Sequence, residues 1–479
     1  MTGDHRSVVA RLRAEVADDL LREGRRHLSL ADRRELTRQL ALSRLRRQAS
    51  DRVAAGETPL DPLQEQELAH AVLDALFGLG RLQALVDDER TENIDVNGCD
   101  RVWVTYADGT KAAAPPIAET DSELVEMLRS AAARFGLSER RFDTAHPELD
   151  LRLPDGSRLS ALMGVTGRPV ASIRRHRFVH LTLAELVRMG SIDDGIASLL
   201  RAAVRARKNI VVAGAMNAGK TTLVRALAAE IPMRERIVTI EQAFELGVAG
   251  DDTRHPDAVA LEAREANAEG VGEITMARLV RRALRMNADR VIVGEVLGDE
   301  IIPMLNAMSQ GRSGSMCTIH ADSSEGAFRR MASYAVQAAE RLPLEATNVL
   351  IAGAIHLVVF VDVIDSTEDP EVSTSSMDGF EAPHEPPFAG LQDHASLQDQ
   401  SVGPGSSVVR FPAVRRRRFV SSIREVVGAD GLNVVSNEVV RPGGDSGATV
   451  GAPLRSSTLH ELVAHGFQPE LLHGLGDHR

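Results

Sequence analysis

Cysteine and lysine are both scarce in this chain. Its 479 residues include two cysteines, Cys99 and Cys317, far apart and outside any CxxC or Cys/His spacing. That excludes a disulfide scaffold and a zinc module. Long apolar runs are also missing. The longest, near Ile355–Val363, is far shorter than the ~18 residues of a membrane span. No apolar core of a secretory signal lies near the start of the chain, so the expected compartment is the cytoplasm. An excess of positive charge is lacking as well. The 68 acidic and 56 basic residues leave a net charge of -12, the wrong sign for a protein that tracks a nucleic-acid backbone over its whole surface. No stable nucleic-acid partner is expected.

The lysines are Lys111, Lys208 and Lys220. Nearly every cation is therefore arginine, as a GC-rich genome alone produces. Clustered arginines are weak signals in such a chain, and a lysine at a special place is a strong one.

Hydrophobic residues make up 43% of the chain, enough to fill real cores. The length suggests about three units. Residues 1–55 read as a basic helical arm, with leucines at near-helical spacing and thirteen arginines against eight acidic residues. The expectation is an exposed helix with a solvated charged face; docking to a partner or an anionic membrane is the other reading. Residues 56–180 read as a small α+β domain. A helix over Gln64–Leu85 leads to strands at Asn93–Val96 and Val102–Thr105, a helix over Asp121–Phe135, a hairpin of Leu149–Leu153 and Arg158–Met163 about Pro154-Asp155-Gly156, and a strand at Val170–Ile173.

A helical connector, 181–207, precedes alternating strands and helices over 208–364. Strands are expected at Asn209–Ala213, Arg236–Ile240, Arg290–Val293, Gly314–His320 and Ile355–Val361. That alternation predicts a doubly wound, mainly parallel α/β sheet. Residues 365–409 hold nine acidic residues and no lysine or arginine, and read as a disordered acidic insertion. Residues 410–479 read as a hairpin, Arg415–Val427 with Asn433–Val440, and a tail with a short helix at Thr458–His465.

The chemistry centres on Gly214-Ala215-Met216-Asn217-Ala218-Gly219-Lys220-Thr221, which satisfies GxxxxGK[ST] between a β-branched strand and a helix-forming run. Glycines let successive N–H groups face a phosphate, and the helix N-terminus adds positive partial charge. Lys220 would reach the β- and γ-phosphates, and Thr221 would ligate Mg²⁺, with Thr222 behind it. Arg290–Glu295 is a hydrophobic strand ending in a carboxylate, a Walker B position, so Glu295 would hold Mg²⁺ through water or orient the attacking water. Glu241 and Glu245 follow another strand where ligands bind in open α/β sheets, and either would serve as general base. His320 ends a further strand, placed to sense a γ-phosphate.

These segments resemble the ATPase superfamily of type II and type IV secretion. RIVTIEQAFEL, LEAREANAEGVGEITMARLVRRALRMNADRVIVGEVLGDE and MLNAMSQGRSGSMCTIHADSS look like that superfamily's boxes, and upstream LVDDERTENIDVNG and PELDLRLPDGSRLSALMGVTGRPVASIRRHR look like its N-terminal domain. The nearest likeness is to the CpaF-type ATPase of Flp/Tad pilus assembly. The resemblance implies a RecA-like P-loop domain and a hexamer that binds ATP between its two domains. It also implies peripheral attachment to inner-membrane platform proteins. It makes Glu245 the catalytic glutamate, Glu295 the Walker B glutamate and His320 the His-box histidine, and places Arg158, Arg168 and Arg174 where arginines reach nucleotide phosphates.

Four features depart from the family's habit: Gln242 after Glu241 in place of aspartate, Leu297 in place of arginine, a bulky Met216-Asn217, and Gly311-Arg312-Ser313-Gly314. They leave two readings, an active motor and an ATP-binding scaffold that turns over weakly or not at all. A GTPase would need an NKxD motif, and none occurs.

Overall fold

The computed structural model describes residues 3–22, 30–54, 61–135, 141–175, 181–251, 253–264, 270–309, 313–366, 410–411, 415–443 and 447–473, with positions 56, 58 and 266. The stretch read as a disordered acidic insertion lies outside the described residues, apart from 365 and 366 at a strand end.

Helices α1 (Gly3–Arg22), α2 (Leu30–Ala54) and α3 (Pro62–Phe77) open the chain. Asp61 and Gln64 form a capping box at the start of α3, with Pro62 in its first turn. Leu12 and Val16 of α1, Ala41 and Leu45 of α2, and Leu68, Ala69 and Val72 of α3 form one buried cluster. The N-terminal segment is thus not an exposed helix. Each of the three helices has an apolar stripe, and the stripes are buried against one another.

Next come α4 (Leu82–Asp87), β1 (Thr91–Asn97), β2 (Val102–Tyr106), β3 (Lys111–Ala114), α5 (Asp121–Phe135), β4 (Glu148–Arg152), β5 (Arg158–Leu162) and β6 (Val170–Arg174). The strands form an antiparallel sheet in the order β3-β2-β1-β6-β5-β4. Burial alternates along β4, β5 and β6. Leu149, Leu159 and Ile173 enter a core with Leu124 and Leu128 of α5, and the other face carries polar side chains.

Helices α6 (Leu183–Arg188) and α7 (Asp194–Arg205) lead into the larger unit. It contains β7 (Ile210–Gly214), α8 (Lys220–Ala228), β8 (Ile237–Glu241), β9 (Ala258–Glu262), α9 (Met276–Ala283), β10 (Arg290–Val296), α10 (Ile301–Ser309), β11 (Met316–His320), α11 (Gly326–Gln337), α12 (Leu344–Ala354) and β12 (Leu357–Ser366). Beyond the acidic stretch are β13 (Arg410–Phe411), β14 (Arg415–Ala429), β15 (Val434–Pro442), β16 (Ala448–Val450), α13 (Ser456–Ala464) and α14 (Pro469–His473). Strand β13 pairs with β3 of the smaller sheet.

The large sheet runs β16-β15-β14-β12-β7-β11-β10-β8-β9. From β12 to β9 every pairing is parallel, and the hairpin β14–β15 adds an antiparallel edge. The doubly wound, mainly parallel sheet expected from the sequence is present, and β9, absent from the sequence reading, extends it. Strand β7 shows why both faces are covered: Ile210 and Val212 pack into one core with α7 and α8, while Val211 and Ala213 pack into another with α9 to α12.

Strand β10 starts at a buried ion pair. Arg290 is fully buried and grips Glu235 through Nε (2.7 Å) and Nη2 (3.0 Å), while Nη1 donates to Val204 O and Gly314 O. A Cβ on Gly314 would lie 1.9 Å from Arg290 Nη1, and its φ is +92°, so this position requires glycine. Removing Arg290 leaves the buried Glu235 carboxylate with Arg207 Nη1 alone of its two guanidinium partners, and strips Val204 O and Gly314 O of their donor. Arg290→Met is expected to cost about 3 kcal/mol in urea unfolding, with much of it restored in the Arg290→Met/Glu235→Leu double variant. A single-variant loss near zero would show that the pair does not anchor the strand.

Candidate nucleotide site

Register brings the key residues to one end of the sheet. Gly214 pairs with His320 of β11 and with Val361 of β12. On β10, Val293 pairs with Cys317 and Val296 with Ile319. Three steps on β10 therefore face two on β11, a one-residue bulge holding Gly294 and Glu295. Thr318 Oγ1 donates to Gly294 O at 2.6 Å inside it. A bulge re-aims a side chain, and here Glu295 Oε1 lies 2.5 Å from His320 Nε2.

The loop between β7 and α8 is curled. A Cβ on Gly214 would meet Val361 O at 2.5 Å. Asn217 and Gly219 have φ of +59° and +97°; asparagine and glycine are the types that tolerate this region. Met216 projects into solvent, 74% exposed, so its bulk does not crowd the cradle. Helix α8 begins at Lys220. Its Nζ donates to Ala215 O at 2.8 Å and lies 3.0 Å from His320 Nδ1, so Lys220, His320 and Glu295 form one chain. An ammonium donates only, so Nδ1 accepts and Nε2–H donates to Glu295. Burial pushes the Lys220 and His320 pKa values down; Lys220 lowers His320 further, and Glu295 opposes it.

Glu241 ends β8, buried, and burial raises its pKa. It accepts from the backbone N–H of Glu245 (2.6 Å) and of Leu246 (2.7 Å), which fixes the loop that carries Glu245. Gln242 is exposed. Leu297 is also exposed, in a turn whose N–H groups at Leu297 and Gly298 donate to Glu300.

The smaller sheet reaches across to the Glu245 loop. Arg158 Nη1 bonds Glu245 Oε1 at 2.7 Å. Arg152 stacks on the Phe244 ring, 5.0 Å from its centroid. Register sets Arg152 opposite Arg158, and Arg158 opposite Arg174, all on the outer face. Arg174 is near enough to Lys220 to help lower its pKa. Like charges side by side repel, so this row suits an anion. Arg168 is engaged elsewhere: it grips Asp121 through Nε and Nη2, both at 2.7 Å, and Asp100 through Nη1. It ties the Cys99 turn to α5, and the structure does not bring its guanidinium to the phosphate loop. Sequence reading missed Arg152, although the Pro154-Asp155-Gly156 hairpin already sets it opposite Arg158. It also missed Arg418, whose Nε donates to Asn217 O at 3.0 Å.

A doubly wound sheet with a GxxxxGKT loop after a central strand, joined to a smaller α/β unit, defines a RecA-like P-loop fold. The family model described as type II/IV secretion system protein matches residues 77–380, and the chain belongs to that family. A Mycobacterium tuberculosis protein, named provisionally for conjugal transfer, is 35% identical over 60% of this chain and 80% of its own length. The type IV secretion system protein VirB11 of Brucella suis is 30% identical over 60% of this chain and 84% of its own. The crystal structure of the Brucella suis VirB11 ATPase is 28% identical, covers 61% of this chain and 91% of that one, and superposes with a TM-score of 0.30. That of the pilus retraction motor PilT with bound ADP is 16% identical over 60% of this chain and 78% of its own, at 0.44. Membership rests on the sequence matches.

Histidine-selective ¹⁵N NMR checks the Lys220–His320–Glu295 chain. His320 is expected as the Nε2–H tautomer at neutral pH, protonating only below the ordinary histidine value of about 6.5. Its pKa is depressed in the folded state, so its contribution to stability is present above that value and is lost as pH falls. An Nδ1–H tautomer would contradict the chain.

Proposed function

We propose that this chain hydrolyses ATP to power pilus assembly or protein secretion. It would work as a homohexamer at the inner face of the cytoplasmic membrane, held there by platform proteins. The observation that carries this reading is the convergence of Lys220, His320 and Glu295 at a curled phosphate loop that faces the Arg158–Arg174 row. Among the described residues no helix is long and apolar enough to cross a membrane. Within the family we infer the CpaF-type branch of Flp/Tad pilus assembly, from the order and wording of the boxes. The relatives named for conjugal transfer and type IV secretion keep transfer machines within the same class of motor.

The backbone N–H groups of 215–222 and Lys220 would hold the β- and γ-phosphates, where the N-terminus of α8 favours negative charge. Glu245, freed from Arg158, would accept a proton from the lytic water, and Arg158 and Arg174 would neutralise the phosphate oxygens. His320 would report the γ-position through Lys220. Thr221 and Glu295 would hold Mg²⁺, a hard ion satisfied by few protein oxygens plus phosphate and water; bound there, it supplies charge neutralisation. We place the smaller domain at 56–180 and the P-loop domain at 208–364.

The test compares the wild type with Lys220→Ala and Glu295→Ala. Mg²⁺-dependent turnover by an ATP-assembled hexamer, at least about a hundredfold lower in both variants, is the expected result. Binding and assembly with no turnover above the variants would overturn the motor and leave the scaffold reading.

A further inference from the structure

Strands β12 and β14 do not stop where the phosphate loop begins. Gly214 of β7 is level with Val361 of β12, yet β12 runs on to Ser366, with Asp362–Ser366 paired to Phe419–Arg415 of β14. The C-terminal hairpin therefore overhangs the loop. Arg418, paired with Val363, lies in that overhang. Its Nε donates to Asn217 O at 3.0 Å, and a Cβ on Gly219 would lie 3.4 Å from Arg418 Cδ. The side chain thus touches the loop at both of its left-handed residues. It does so from the β12 flank of β7, while His320 and Glu295 stand on the opposite flank, on β11 and β10.

The carbonyl it holds belongs to the peptide whose N–H is that of Ala218. In this structure that N–H turns inward to Ala215 O at 3.3 Å, the oxygen that Lys220 also occupies. A cationic donor on a carbonyl polarises the whole peptide and strengthens its N–H as a donor. It also fixes the local backbone at an asparagine whose left-handed conformation carries a strain.

We propose that Arg418 is a positioning residue of the phosphate site: through Asn217 O it holds the loop's curl and sharpens the Ala218 N–H toward phosphate. This rests on the nucleotide reading above and adds to the site a part supplied by the C-terminal hairpin. The remaining residues of the loop grip phosphate without it, so the effect falls on affinity.

The experiment measures binding of ADP and of inorganic pyrophosphate, and ATP turnover, in full-length wild type, Arg418→Ala, Arg418→Lys and Lys220→Ala. Thermal unfolding confirms that the variants are folded. Arg418→Ala is expected to weaken ADP and pyrophosphate alike by about tenfold, and to raise KM for ATP similarly, with kcat within about twofold. Arg418→Lys, which keeps a cationic donor, is expected to recover most of the loss. Weakened ADP with unchanged pyrophosphate would overturn the proposal, because the arginine would then act on base or ribose. So would a fall in kcat at constant KM. Unchanged affinities in Arg418→Ala beside lost binding in Lys220→Ala would sink this proposal alone. Unchanged pyrophosphate binding in Lys220→Ala would sink the nucleotide reading with it.

Discussion

The register of the parallel strands is the constraint on which the rest of the site depends. Strand β7 must present Gly214 level with His320 and Val361, and β10 must gain one residue on β11. A one-residue slip would turn alternate side chains to the wrong core, sending Ile210 and Val212 toward α9–α12. Because β7 is buried on both faces, such a slip has no favourable partner. The same burial that makes the sheet stable therefore holds the Lys220–His320–Glu295 chain in place. The anchors are polar and sit at the other ends of the strands. Asn209 donates through Nδ2 to Met308 O and Ala354 O, and accepts through Oδ1 from Gly314 N and Ser315 N. One buried side chain thus ties the start of β7 to α10, α12 and the approach to β11. Arg290 does the same for β10.

A second layer of order comes from carboxylates that bind backbone. Glu241 is not positioned to act on a ligand while it accepts from two consecutive N–H groups; its work is to hold the loop that displays Glu245. Glu262 adds to this by accepting from Phe244 N at 3.2 Å. Of the two strand-end carboxylates left open by the sequence, geometry separates the roles: Glu241 is buried and spent on backbone, and Glu245 projects to meet Arg158. The arginines divide in the same way. Arg168 serves the internal order of the smaller unit, and Arg158 faces outward across to the larger one.

Much of this was legible in the sequence, for identifiable reasons. The phosphate loop is local: its glycines, its lysine and the flanking strand and helix lie within one short stretch, so spacing alone gives the geometry. The strands were legible because β-branched runs mark them, and the sheet class because strands alternate with helices. What escaped was non-local or masked by composition. The packing of α1 and α2 on α3 depends on stripes that only a partner makes meaningful, and solvent-facing arginines hid them. Arg168 looked equivalent to Arg158 because nothing in the chain shows that Asp121 and Asp100 converge on it. Arg418 belongs to a run of four arginines in an arginine-rich chain, and its contact spans about two hundred residues of sequence. Strand β9 is half-buried along its length, without the alternation that would mark it.

The present arrangement also shows what a phosphate would have to displace. Lys220 is folded back on Ala215 O and His320, Ala218 N–H turns to the same carbonyl, and Arg158 is held by Glu245. Every one of these groups already has a partner inside the protein. Entry of an anion would then exchange hydrogen bonds rather than add them, and net affinity would come from the difference between two paired states. The exchange is not neutral in geometry. An arginine that left Glu245 for a phosphate would give up a tie between the smaller sheet and the Glu245 loop, next to the tie that Arg152 makes with Phe244, since register sets Arg152 opposite Arg158. The side chains that would meet a ligand are thus also the ones that join the smaller sheet to the Glu245 loop.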